Sequence, residues 1–129
     1  MAKRRISIED GRAALAAVRS GSTARTDVAT AVRYLLEELA ERAPGNTVEV
    51  RVPPYGATQC VSGPKHTRGT PPNVIETDAE TWIALACGDV DWSSAVDDSR
   101  VIASGSRAAL VGLLPLVREH PVEAETLEV

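Results

Sequence analysis

Val48-Glu49-Val50-Arg51-Val52-Pro53-Pro54-Tyr55-Gly56-Ala57-Thr58-Gln59-Cys60-Val61 is the stretch that decides the class of fold. Val48, Val50 and Val52 alternate with Glu49 and Arg51, the period of two expected of a strand with one buried face. Pro53-Pro54-Tyr55-Gly56 supplies the turn, and Ala57 to Val61 reads as the returning strand of a hairpin. Further along, Asn73 to Glu76 predicts a third strand, and Val101 to Ser104 a fourth that Gly105 ends. Residues 62–72, Ser-Gly-Pro-Lys-His-Thr-Arg-Gly-Thr-Pro-Pro, form a loop dense in breakers.

On either side of the hairpin the period is helical. Val28, Val32, Leu35, Leu36 and Leu39 fall on one stripe with Ala31 and Ala43, predicting a helix from about Asp27 to Ala43 that Pro44-Gly45-Asn46 stops. Upstream, a basic arm over residues 1–6 leads into a short helix through Ile8, Leu15 and Val18, with Ser7 and Asp10 spaced as a weak capping box. Downstream, Thr77 and Glu80 have capping-box spacing for a helix through Trp82, Ile83, Leu85 and Ala86, which Gly88 caps. Asp91 suits the start of a short helix holding Trp92, Ala95 and Val96. A last helix is expected from Ser106, with Leu110, Leu113, Leu114 and Val117 on one face and a kink at Pro115. Strands joined by short links imply antiparallel neighbours. The expectation is an α+β, two-layer architecture with a mostly antiparallel sheet covered by helices.

The 129 residues suit one domain. Its parts are an N-terminal arm and short helix (1–25), a main domain (26–118), and an acidic tail (119–129) expected to be flexible. The chain has no Phe, one Met, two Trp and two Tyr, so its core must be built from Leu, Val, Ile and Ala. So few rings imply either tighter packing or gaps that form a ligand tunnel. Residues 1–68 hold 11 basic and 7 acidic groups (+4), and residues 69–129 hold 3 and 11 (−8), for a net charge of −4. An acidic balance of this kind argues against nucleic-acid binding, which needs clustered Lys and Arg. No apolar run is long enough for a membrane span, and no apolar stretch follows the basic start as in a secretory signal. Two cysteines, Cys60 and Cys87, make no disulfide framework, so a cytoplasmic address is expected.

Catalytic and metal motifs are missing from the residue pattern. There is no GxGxxG, no GxxxxGK[ST] and no GxSxG, and His66 and His120 have no ligand spacing, so no metal, cofactor or catalytic residue is expected. Cys60 would need Arg51 or His66 beside it to act as a nucleophile; otherwise it is a small buried hydrophobe. Lys65, His66 and Arg68 put a positive cluster in the breaker-rich loop, suited either to an anionic or partner side chain or to solvent alone. Trp82 and Trp92 read as core or half-buried rings, with Trp82 a candidate to line an apolar cavity.

Two stretches carry a family signal: Arg51-Val-Pro-Pro-Tyr-Gly-Ala-Thr-Gln-Cys60 and His66-Thr-Arg-Gly-Thr-Pro-Pro-Asn-Val-Ile-Glu-Thr-Asp-Ala-Glu-Thr-Trp82. With Trp82-Ile-Ala-Leu-Ala-Cys-Gly88 and Val101-Ile-Ala-Ser-Gly105 they resemble the bacterial branch of the sterol carrier protein type two fold, over about residues 26–117. The pattern is also similar to the C-terminal domain of mycothiol-dependent maleylpyruvate isomerases and its actinobacterial relatives. Those enzymes carry a separate metal-binding helical domain that nothing here supplies, so isomerase activity is not implied. The resemblance implies a non-enzymatic fold with an apolar tunnel between its layers for a fatty acyl chain or similar small molecule. Mapped by position, that tunnel would involve Trp82, Leu85, Val101, Leu110, Leu113, Leu114 and Val117. A second reading is an accessory interaction domain that supports a partner enzyme, of thiol-dependent isomerase or transferase type, through Lys65 to Pro72. A third, a small enzyme using Cys60 or His66, has no support beyond proximity in sequence.

Overall fold

The computed structural model describes residues 5–63 and 73–117. The cationic loop side chains Lys65, His66 and Arg68 and the acidic tail lie outside the described residues. The elements run α1 (Ile8–Arg19), α2 (Arg25–Arg42), β1 (Val48–Val52), β2 (Gly56–Cys60), β3 (Asn73–Thr77), α3 (Ala79–Cys87), α4 (Trp92–Asp97) and β4 (Val101–Ser104). This is the α+β architecture expected, with a mostly antiparallel four-stranded sheet in the order β2-β1-β3-β4.

The strand order departs from a simple meander. β1 pairs with β2 and β3 with β4 antiparallel, but β1 and β3 are parallel neighbours, Val48 opposite Asn73 and Val50 opposite Ile75. The expectation that consecutive strands pair antiparallel therefore fails at β3. The reason lies in the side chains. Val48, Val50 and Val52 are all fully buried, so β1 takes an inner place with a neighbour on each side. β2, Gly-Ala-Thr-Gln-Cys, has less apolar surface to hide and takes the edge. The stretch between β2 and β3 is long enough to pass the end of β1.

Val48, Val50, Val52, Cys60 and Ile75 bury the inner face of the sheet against the helices. From α2 come Val32, Leu35 and Leu39, and from α3 Trp82, Leu85 and Ala86. Burying one such aliphatic side chain stabilises the fold by ~1.5–3 kcal/mol, and leaves the outer strand positions Glu49, Arg51 and Glu76 half-exposed. α1 packs on α2 at a point where nothing larger than glycine fits: a β-carbon at Gly11 would overlap the Tyr34 ring. Beyond the N-terminal end of α1, the backbone N–H groups of Arg5 and Ile6 both donate to Glu37 Oε1 at 3.1 Å. At its C-terminal end Arg19 pairs with Asp89 at 2.7 Å. No described helix is long and apolar enough to cross a membrane.

Two local expectations are corrected. Thr77 and Glu80 do not start α3. Asp78 does, accepting from Thr81 N at 2.7 Å, while Thr77 stays in β3 and its hydroxyl donates to Arg100 O at 2.7 Å. The last helix does not form: residues 106–117 are turns and irregular backbone. Pro115 has no N–H to give and its ring excludes the helical carbonyl of Val111, while Gly112 sits at φ +87°. Leu110 and Leu116 are buried nonetheless, so this segment packs as an irregular wall.

Candidate functional site

The region where the chain turns from α3 into α4 is built by caps. Gly88 ends α3 in the left-handed region at φ +83°, and Asp89 N donates to Ala84 O at 2.8 Å. Asp91 then starts α4, its Oδ1 accepting from Ser94 N at 2.8 Å. This places Trp92 at the first position of α4, half-buried against the core.

The irregular wall is fixed at both ends. Near its start, Arg107 N donates to the side chain of Asn73 at 2.8 Å. At its end, Leu116 N and Val117 N both donate to Ala86 O, at 2.8 and 3.0 Å. Ala86 lies in the last turn of α3, where helix carbonyls lack intrahelical partners, so the wall closes a bond the helix leaves open.

Between the α3–α4 turn and the wall lies an open cleft of about 390 Å³. Leu85 and Leu110, both members of the core, line it with Val90, Trp92, Leu114 and Pro115. Asp91 is the charged residue on its lining among the described residues. Its carboxyl lies below the ordinary carboxylate range because the Ser94 backbone and hydroxyl donate to it.

Of the positions mapped to a tunnel, Leu85, Leu110 and Leu114 meet at this cleft. Trp82 does not reach it. Its ring is fully buried between the layers, and Nε1 donates to Val32 O at 3.3 Å, a satisfied core indole. Val101 is buried in β4, and Leu113 and Val117 pack half-buried against the core without lining the cleft. Trp92, Val90 and Pro115 were missed as lining residues. Their signal was available in the Gly88 cap followed by the Asp91 cap, which forces a tight corner and brings Val90 and Trp92 to the cleft.

Other clefts are larger and more charged. A groove of about 670 Å³ between α2 and β2 is lined by Arg5, Arg33, Glu37 and Glu41, and Arg33 Nε donates to Tyr55 O at 2.7 Å within it. A cleft of about 660 Å³ between α1 and α3 has an apolar floor of Val18, Val28 and Ile83, with the Arg19–Asp89 pair on its lining.

Cys60 is fully buried, and desolvation pushes its thiol up to about 11. Arg51 does not assist it. In β1, Arg51 points to the face opposite the one Cys60 shares with Val48, and its Nε pairs with Glu49 Oε2 at 3.2 Å. Both features oppose thiolate formation.

A family model described as "Bacterial SCP ortholog" matches residues 24–116. No curated protein matches the chain. The matched segment contains α2 through the irregular wall, so the whole of the Trp92 cleft lies inside it and α1 lies outside.

Proposed function

The chain belongs to the family of bacterial sterol carrier protein orthologues, and from that premise we propose that it binds the apolar part of a small molecule, without catalysis, in the cleft between the α3–α4 turn and the wall. One observation carries the reading. Leu85, Val90, Trp92, Leu110, Leu114 and Pro115 converge on one concave surface whose floor belongs to the hydrophobic core. Its 390 Å³ falls at the lower end of the ~300–1,000 Å³ common for small-molecule sites. Each methylene moved from water onto such a surface contributes ~0.8 kcal/mol before the costs of association. Shape and apolarity are all this activity asks of the site, in keeping with a buried, high-pKa Cys60. The interior between sheet and helices, where the tunnel was expected, is occupied by Trp82, Leu35, Leu39 and the valines of β1. This favours the cleft over the surroundings of Trp82 as the proposed ligand site.

The test is native mass spectrometry of the purified protein, followed by solvent extraction and a titration with decanol read by tryptophan emission. The chain has two tryptophans, of which Trp82 is fully buried and Trp92 lines the cleft. The expected result is a saturable emission change with decanol that disappears in Trp92→Phe, where Trp82 is the remaining emitter. No retained apolar molecule together with no response to decanol would overturn the proposal.

A further inference from the structure

Resting on that reading, we infer that the cleft selects amphiphiles with a cationic head, a quaternary ammonium or protonated amine, held between the Trp92 ring and the Asp91 carboxylate.

The inference starts from what surrounds the apolar walls. A carboxylate-headed ligand needs a donor or a cation at the mouth. Among the described residues the charged group on the lining is Asp91, which repels a carboxylate. Ser93 on the lining offers a neutral hydroxyl but no positive charge to offset Asp91, and Ser94 N is already taken by Asp91 Oδ1. Arg19, a neighbouring cation, is held by both oxygens of Asp89, at 2.7 and 3.1 Å, and lines the cleft on the other side of α3. Asp97 and Asp98, at the end of α4, add further exposed negative charge on the same short helix.

The same features suit a cation. Asp91 and Trp92 are adjacent, and both line the cleft. An indole face attracts a tetraalkylammonium through its quadrupole, and a nearby carboxylate adds a Coulomb contribution. Asp91 accepts from the Ser94 backbone and hydroxyl, and its two oxygens still have acceptor capacity to spare. Leu110, Leu114 and Pro115 then receive the alkyl chain. Because Asp91 is exposed, the effect is modest and falls with salt.

The experiment compares decyltrimethylammonium, decanoate and decanol at fixed low ionic strength, with wild type and Asp91→Asn. Asparagine caps a helix start about as well as aspartate, so the variant removes charge and keeps the fold, checked by circular dichroism. Wild type should bind decyltrimethylammonium about three- to tenfold more tightly than decanoate. In Asp91→Asn that ratio should fall to within about twofold of unity. Equal binding of all three heads by wild type, or a preference for decanoate, would overturn the selectivity and leave apolar binding standing. A cation preference that persists in Asp91→Asn would assign it to the net charge of −4 and would also overturn the inference. Failure of all three to bind would overturn both this inference and the function it rests on.

Discussion

Replacing Asn73 with Ala tests how the cleft wall is held. Asn73 is 3% exposed at the start of β3. Its Nδ2 donates to Thr47 O at 3.0 Å, and its Oδ1 accepts from Arg107 N at 2.8 Å. One side chain thus joins the approach to β1, the start of β3 and the segment that leads into the wall. In the alanine variant the buried Thr47 carbonyl loses this donor without water to replace it, at about 1–3 kcal/mol. Arg107 is exposed, so its N–H reaches water and the loss is the net value of a bond, about 0.5–1.5 kcal/mol. Together the variant should lose about 2–4 kcal/mol, lowering Tm by roughly 8–16 °C for a domain of this size. Urea unfolding followed by circular dichroism measures this, with an unchanged denaturant slope as the sign that only the native state has been altered. Asn73→Asp sharpens the test. It keeps the acceptor for Arg107 N but turns an oxygen toward Thr47 O. The variant should be unstable at neutral pH and recover as pH falls and the acid, protonated, donates again. A loss below about 0.5 kcal/mol in Asn73→Ala, or an aspartate variant as stable as wild type at pH 7, would refute the reasoning. Decanol binding should weaken in the alanine variant, because the wall carrying Leu110 and Leu114 loses an anchor.

Cys60 should resist an aromatic disulfide reagent at pH 8 in the folded protein and react fully in denaturant; fast reaction of the native thiol would show it is neither buried nor raised to about 11. Its folded pKa lies above the ordinary 9.0, so its contribution to stability is full below pH 9 and is lost as pH rises toward about 11. Asp89 behaves in the opposite sense: Arg19 holds its carboxyl low, so the stabilisation is present above the ordinary carboxylate range and is lost as pH falls through the lowered value. Asp89→Asn should cost no more than about 1 kcal/mol at neutral pH, since both partners are partly exposed, and should abolish that acid-side loss in a pH series of Tm values. Gly11→Ala gains about 1 kcal/mol of helix propensity but overlaps the Tyr34 ring, which costs about 1–3 kcal/mol. Limited proteolysis should then cut within α1 faster than in wild type, and an α1 as protected as in wild type would contradict the close packing.

Much of the local structure was legible in the residues. The valine alternation of β1 and the Pro-Pro-Tyr-Gly turn needed only the period of a strand and the chemistry of a turn, and both stand in the fold. The stripe of α2 and the caps Ser7, Gly88 and Asp91 were equally readable, because a helix end is decided by groups within a few residues of it. Thr77 shows the limit of that reading. It has the spacing of a capping box, but a distant acceptor, Arg100 O, holds its hydroxyl and leaves the cap to Asp78.

Tertiary structure decided three things that local pattern left open. It put β3 beside β1 in parallel, because strands compete for the inner places of a sheet by apolar surface and not by order along the chain. It replaced the expected last helix with a wall, because Pro115 weakens the helix and Ala86 O offers the backbone a partner elsewhere. It also separated the two tryptophans, sealing Trp82 against Val32 and leaving Trp92 on the cleft. Sequence determined which residues are apolar and with what period, since these follow from each residue and its near neighbours. Which apolar residues are covered and which line a cleft depends on segments far apart in the chain meeting in space, and only the packed fold fixes that.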